Sequence, residues 1–148
     1  MPTFTTPSIR WQILSSVAGL LQTAPALEGV RLRVNPRQAV KVGKPDYMIV
    51  IRWDVDTLVE SKGQKEIRKF RLLVGSIANT EDSDGDADAM HVVVGGLVRS
   101  HWKELSVFAN KIKPQEIEVV PDVDQMLIEG ALVASAWDIE YEKVHPLP

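Results

Sequence analysis

The densest group of side chains able to do chemistry is acidic: Glu81, Asp82, Asp84, Asp86 and Asp88. An EF-hand loop needs Asp at its first position, oxygen ligands at the third and fifth, Gly at the sixth and a bidentate Glu at the twelfth. Aligned on Gly85, Asp82 is third and Asp84 fifth, but Thr80 is first and His91 twelfth, so two key ligands fail. The stretch reads instead as the acidic entry to a helix, where Asp84, Asp86 and Asp88 suit the positive N-terminal end. A loose divalent-cation site at a subunit contact is the alternative, and no cofactor is expected. Asp54 and Asp56 lie two apart in a strand pattern and so share a face. Such a pair could hold a metal or do acid–base work, as in a small metal-dependent hydrolase, but it also fits a solvated strand face. His91 and His101 are ten apart, roughly 280° around a helix, and diverge. Without cysteine there is no thiolate ligand, cysteine nucleophile or disulfide. No G-x-S-x-G, P-loop or dinucleotide fingerprint is present. The expectation is a non-enzyme.

Charge is distributed in blocks. From Arg31 to Arg71 eleven basic residues stand against five acids, a net of +6. From Glu116 to Glu142 there are eight acids and no Lys or Arg, a net of −8. Two arrangements follow. If the blocks occupy different surfaces, copies of the chain can associate basic side to acidic side. Arg68 and Arg71 are then the candidates on one side, and Asp138, Glu140 and Glu142 on the other. If the blocks are neighbouring strands, their charges cancel within one sheet.

The elements that would position these residues follow from periodicity. Ser8 is a plausible N-cap, and Ile9, Ile13, Val17, Leu20 and Leu21 repeat at helical spacing. Val30, Leu32 and Val34 alternate as a first strand that Pro36 ends. Gln38 to Asp46 reads as an exposed basic loop. Tyr47, Ile49, Ile51 and Trp53 form one face of the clearest strand, which continues through Val55, Thr57 and Val59 to Lys62-Gly63. Ile67 to Ile77 returns, so the two strands make a long hairpin with a polar, projecting tip. A second helix spans about Ala87 to Leu105 around the stripe Met90, Val94, Leu97, Val98, Trp102. Gly95-Gly96 within it suggests close packing on the sheet, or a kink. A strand from Gln115 to Val120 and a last strand after Gly130 complete the chain. In that last strand Ala131, Val133, Ser135, Trp137, Ile139 and Tyr141 share one face, while the other turns acidic from Asp138 onward. Trp11, Trp53, Trp102 and Trp137 fall on apolar stripes or their borders, which favours core over a base-stacking platform.

The order α-β-β-β-α-β-β predicts an α+β fold: one antiparallel or mixed sheet, two helices packed on it, and a projecting β-hairpin. The 148 residues predict one domain, with residues 1–7 as an N-terminal arm and 144–148 as a C-terminal tail. A 45% hydrophobic, 25% charged composition excludes collagen-like and coiled-coil chains and argues against wholesale disorder. No apolar run reaches the ~18 residues of a membrane span, and no basic-then-apolar leader opens the sequence, so a cytoplasmic protein with no membrane partner is expected. The net charge of −3 gives no global reason to expect specific nucleic-acid binding.

In this order of elements the chain resembles the tail terminator (tail completion, or minor tail) proteins of long-tailed bacteriophages. The features are the amphipathic helix Ile9 to Leu21, the strand Val30 to Val34, a Pro-Gly loop, and the strand pair Tyr47 to Trp53 and Ile67 to Ile77. The Asp-rich entry Asp82 to Asp88 to the second helix and the acidic closing strand Leu132 to Tyr141 complete the likeness, which covers about residues 8–143. The resemblance implies a structural virion protein. It would form a homo-hexameric ring on the head-proximal end of the tail, stop tube polymerisation and offer the head-joining surface. Its partners would be other copies of itself, the tail tube protein and the head–tail connector, with assembly in the host cytoplasm. Another neck or head–tail completion protein, and a small anion-binding regulatory module using residues 31–71, are the alternatives.

Overall fold

Ser8 is extended, and its Oγ accepts the Trp11 N–H at 3.1 Å, which starts α1 (Ile9–Thr23) where the cap was expected. The computed structural model describes residues 7–38, 40–105, 113–119 and 130–145. After α1 a short 3-10 turn (Pro25–Leu27) leads to β1 (Arg31–Val34), β2 (Asp46–Lys62), β3 (Lys65–Asn79), α2 (Ser83–Leu105), β4 (Lys113–Val119) and β5 (Ala131–Val144). The order of helices and strands predicted from periodicity is thus the order observed. The sequence acids Asp122, Asp124 and Glu129, most of the N-terminal arm and the last three residues lie outside the described residues.

One mixed sheet holds all five strands in the order β1-β2-β3-β5-β4. β1 runs parallel to β2, and the other neighbours are antiparallel. Both helices cover one face. Ile13, Leu14, Val17 and Leu21 of α1 and Val94, Val98 and Trp102 of α2 bury against Ile49, Ile51, Phe70, Leu72, Trp137 and Ile139. Burying one such side chain fully stabilises the fold by roughly 1.5–3 kcal/mol. Leu97, on the apolar stripe of α2, and Val133, on the Trp137 face of β5, are only half-buried.

Two expectations change. The segment after β1 is not exposed throughout. Val40 and Val42 are buried with Met48, Val50 and Ile77 in a second apolar cluster on the helix-free face. Two valines among basic residues gave no periodic signal, and only the neighbouring strand face explains them. Asp54 and Asp56 do not share a face. Asp54 pairs with Arg71 but Asp56 with Phe70, because a β-bulge inserts Val55 between them. A second shift inserts Val59 between Leu58 and Glu60. The long hairpin is the one expected, and a third strand borders it. β5 runs beside β3 to the very tip, pairing Val144 with Lys65.

Two glycines have a steric reason. Gly63 takes φ +58° at the hairpin turn. Gly130 takes φ +98°, and a Cβ there would sit 2.6 Å from the Ala78 carbonyl oxygen. Gly95-Gly96, by contrast, does not serve close packing on the sheet. A Cβ at Gly96 would meet nothing within 4 Å, and the nearest atoms to one at Gly95 would be those of the Arg99 guanidinium, the first at 3.3 Å.

Candidate functional site

β2, β3 and β5 outrun the helices and form a three-stranded arm over roughly residues 54–62, 65–71 and 138–144. Its chemistry differs on its two faces. On the helix-free face the register sets Arg71 opposite Asp138, Lys69 opposite Glu140 and Ile67 opposite Glu142. Arg71 Nε donates to Asp138 Oδ1 at 3.0 Å, Lys69 Nζ lies 3.5 Å from Oδ2, and Lys65 Nζ lies 3.2 Å from Glu142. Burial would raise the Asp138 pKa, but the hydrogen bond and charge of Arg71, with Lys69, hold it below the ordinary carboxylate value. A shallow cleft of about 300 Å³ lies over this ladder, between Asp54, Thr57, Arg71 and Asp138.

On the opposite face Asp56 is a hub. Its side chain is 8% exposed and takes hydrogen bonds from Arg68 Nε at 2.8 Å and Tyr141 Oη at 2.6 Å, with Arg10 Nη1 at 3.4 Å. The Val55 bulge turns this carboxylate inward. Arg10 also lies 4.4 Å from the Trp53 ring centre, and Trp11 meets Trp53 edge to face. Burial, then the hydrogen bond to Asp56, pushes the Tyr141 phenol up, so it stays a donor. Arg68 bonds Glu66 as well, at 3.2 Å. The Glu66 pKa is lowered, chiefly by its hydrogen bond with His145.

Of the five candidate interface residues, therefore, Arg71 meets Asp138 within the chain, Glu142 meets Lys65, and Arg68 serves Asp56 on the other face. Glu140 stands opposite Lys69. The second arrangement read from the charge blocks applies to these residues: β3 and β5 are neighbours, and Lys65, Lys69 and Arg71 meet Glu142 and Asp138 inside one sheet.

Two histidine constellations were not legible in the sequence. His91 of α2 lies against the sheet with Nδ1 2.9 Å from Ser76 Oγ and Nε2 2.7 Å from Ser135 Oγ. Ser135 also bonds Glu116, which is clamped by Arg99 Nε at 2.9 Å. If Ser135 gives its proton to the carboxylate it must accept from Nε2–H, and Nδ1 then accepts from Ser76. The neutral ring satisfies every group in this chain. Burial lowers the His91 pKa and favours that neutral form. The second constellation joins the helices: Ser16 Oγ is 2.8 Å from His101 Nε2, and Glu104 lies 3.2 Å from Nδ1. The atom order is that of a serine–histidine–acid relay. Ser16, however, sits inside α1, whose backbone N–H groups are spent on helical carbonyls rather than aimed at an oxyanion. The contact ties α1 to α2. No His signal at helical spacing could reveal either site, since the serines lie 15, 44 and 85 residues away.

The acidic stretch at the start of α2 is used locally. Asp82 Oδ1 accepts the Gly85 N–H and its carbonyl accepts the Asp86 N–H, while Thr80 Oγ1 donates to Asp86. Among the described residues no group of three His, Asp or Glu side chains converges as a metal site. A further feature is basic: a groove of about 430 Å³ beside β1, lined by Arg33, Arg37 and Lys41 over Val34, Val40 and Met48. No family model matches this chain, and no curated protein matches it.

Proposed function

We propose that the chain is a structural, ring-forming subunit that closes the end of a phage tail tube, a tail terminator. The observation that supports this most is the arm. β1 pairs with Met48–Ile51 alone, so among the described residues the outer edge of β2 is open from Asp54 to Lys62. Val55, Leu58 and Val59, between 49% and 70% exposed, crowd this edge. An open edge is a template for pairing with another chain, and bulges are the usual device that keeps such pairing from running on indefinitely. An edge that is apolar yet bulged suits a contact with one defined neighbour. Repeated head to tail, such a contact closes a ring. The element order and the helix-covered sheet agree with the family resemblance.

Electron microscopy of particles made without the protein tests the proposal. Tails of irregular, excess length are expected. Tails of normal length joined to heads would overturn it.

A further inference from the structure

The basic residues of the 31–52 stretch divide into two sets. Arg31 pairs with Asp46 at 2.8 Å and Lys44 with Glu81 at 3.4 Å. Arg33, Arg37, Lys41 and Arg52 have no carboxylate partner among the described residues. The fold gathers Arg33, Arg37 and Lys41 around one groove. Arg33 stands opposite Val50 on the helix-free face, since its neighbours Leu32 and Val34 pack on the main core. Arg52 lies on the same face, two residues beyond Val50. Asn35, at φ +48°, turns the chain out of the sheet: its N–H donates to the Ile51 carbonyl and its side-chain oxygen accepts the Trp53 N–H. The chain then doubles back over that face. Val40 and Val42 anchor it, and Asn79 Nδ2 donates to the Val42 carbonyl at 2.8 Å. Arg37 and Lys41 are thereby held over β1, and the groove lies between.

Like charges collected around one cleft repel one another, and at ~0.1 M salt the screening length of ~10 Å leaves them in each other's field. Such a cleft concentrates an anionic ligand. Pro36, Val40 and Met48 add an apolar lining, which suits side-chain stems and backbone rather than a bare phosphate track. The same chain exposes the complementary charge. Asp84 and Asp88, one helical turn apart on α2, are exposed and have no cationic partner among the described residues.

We infer that the Arg33–Arg37–Lys41 groove receives a carboxylate-bearing segment of a second copy of this chain, the start of α2. This rests on the ring reading above and names one contact of that ring. The groove and the start of α2 are different surfaces, so the contact is heterologous and propagates from copy to copy. It also reassigns the inter-subunit charge pairing from Arg68 and Arg71, which are used within the chain, to cations that are not.

The test uses the full-length protein and reads its mass by sedimentation across concentration, at low and at high salt. Wild type should associate, more weakly at high salt. Arg33→Glu with Arg37→Glu should raise the concentration for half-association by roughly tenfold or more. Asp84→Lys with Asp88→Lys should do the same. An equimolar mixture of the two double variants should recover part of the association, because one in two possible contacts is then matched in reversed or native sense. Melting temperatures check folding, and Arg33→Gln with Arg37→Gln replaces the reversal should it unfold. If the Arg variants assemble like wild type, this contact is wrong while the ring reading stands. If wild type stays monomeric at every concentration, both fail. If a labelled DNA duplex binds saturably at physiological salt and the Arg variants abolish this without changing association, the groove serves nucleic acid and the inference is overturned.

Discussion

The same three strands, β2, β3 and β5, build two regions of opposite character. Under the helices they present Ile49, Ile51, Leu72, Val74, Trp137 and Ile139 to a continuous apolar core. Toward the tip they present Asp56, Arg68, Arg71, Asp138 and Glu142; Phe70, Ile139 and Tyr141 still reach the core, while Val55, Leu58, Val59 and Val144 are exposed. The β3–β5 pairing is unbroken through both, in register from Ala78–Ala131 to Lys65–Val144, while the β2–β3 pairing is bulged twice in the arm. What differs is the source of stability. The covered half gains it from area removed from water, which depends on fit. The arm gains it from the ladder and from matched charge, which is weak where exposed and strong only at the buried Asp56 hub. A region built that way keeps its shape while leaving an apolar edge open to a neighbour.

Cavity formation in the covered half should have the largest effect. Leu72→Ala, at a fully buried position, should cost ~2–5 kcal/mol in urea unfolding. A loss under 1 kcal/mol would mean the two halves are not so different. The hub comes next. Asp56→Ala strands Arg68 and the Tyr141 hydroxyl and should cost about 2 kcal/mol, discounted from a fully buried charge because both arginines are partly exposed. If Asp54→Ala costs as much, the bulge does not distinguish these neighbours.

The third expectation concerns pH. The folded His91 pKa is below its ordinary 6.5, so the unfolded chain binds the proton first as pH falls. Its contribution is intact above 6.5 and is lost progressively as pH drops from there toward the folded value. His91→Gln should flatten that part of the stability–pH curve; an unchanged slope would show that the ring is not held neutral. The smallest effect belongs to the arm's outer ladder. Asp138→Asn should cost ~1 kcal/mol or less at neutral pH, because Arg71 is 46% exposed. Asp138 has a lowered pKa, so its contribution is present above the ordinary 3.8 and fades on further acidification. The variant should lack that acid-side loss, as thermal melts at pH 3 and pH 7 would reveal.

Local pattern was enough for the α+β class, the element order and which residues of each strand share a face, apart from the bulged part of β2. Periods of 3.6 and 2 are local properties, and an amphipathic face needs no partner to be visible. It also marked Ser8 as a cap, because capping joins residues three apart. It left two arrangements for the charge blocks, since nothing local says whether β3 and β5 are neighbours. Tertiary structure decided that they are, and so paired Arg71 with Asp138 instead of leaving both for another subunit. It decided the bulge at Val55, which alternation alone cannot foresee because Asp-Val-Asp fits an unbroken strand equally well. It decided the burial of Val40 and Val42, the Asp56 hub and the His91 chain. Each of these joins residues distant in sequence, and only the closing of the sheet, with the area it buries, brings them within hydrogen-bonding or packing distance.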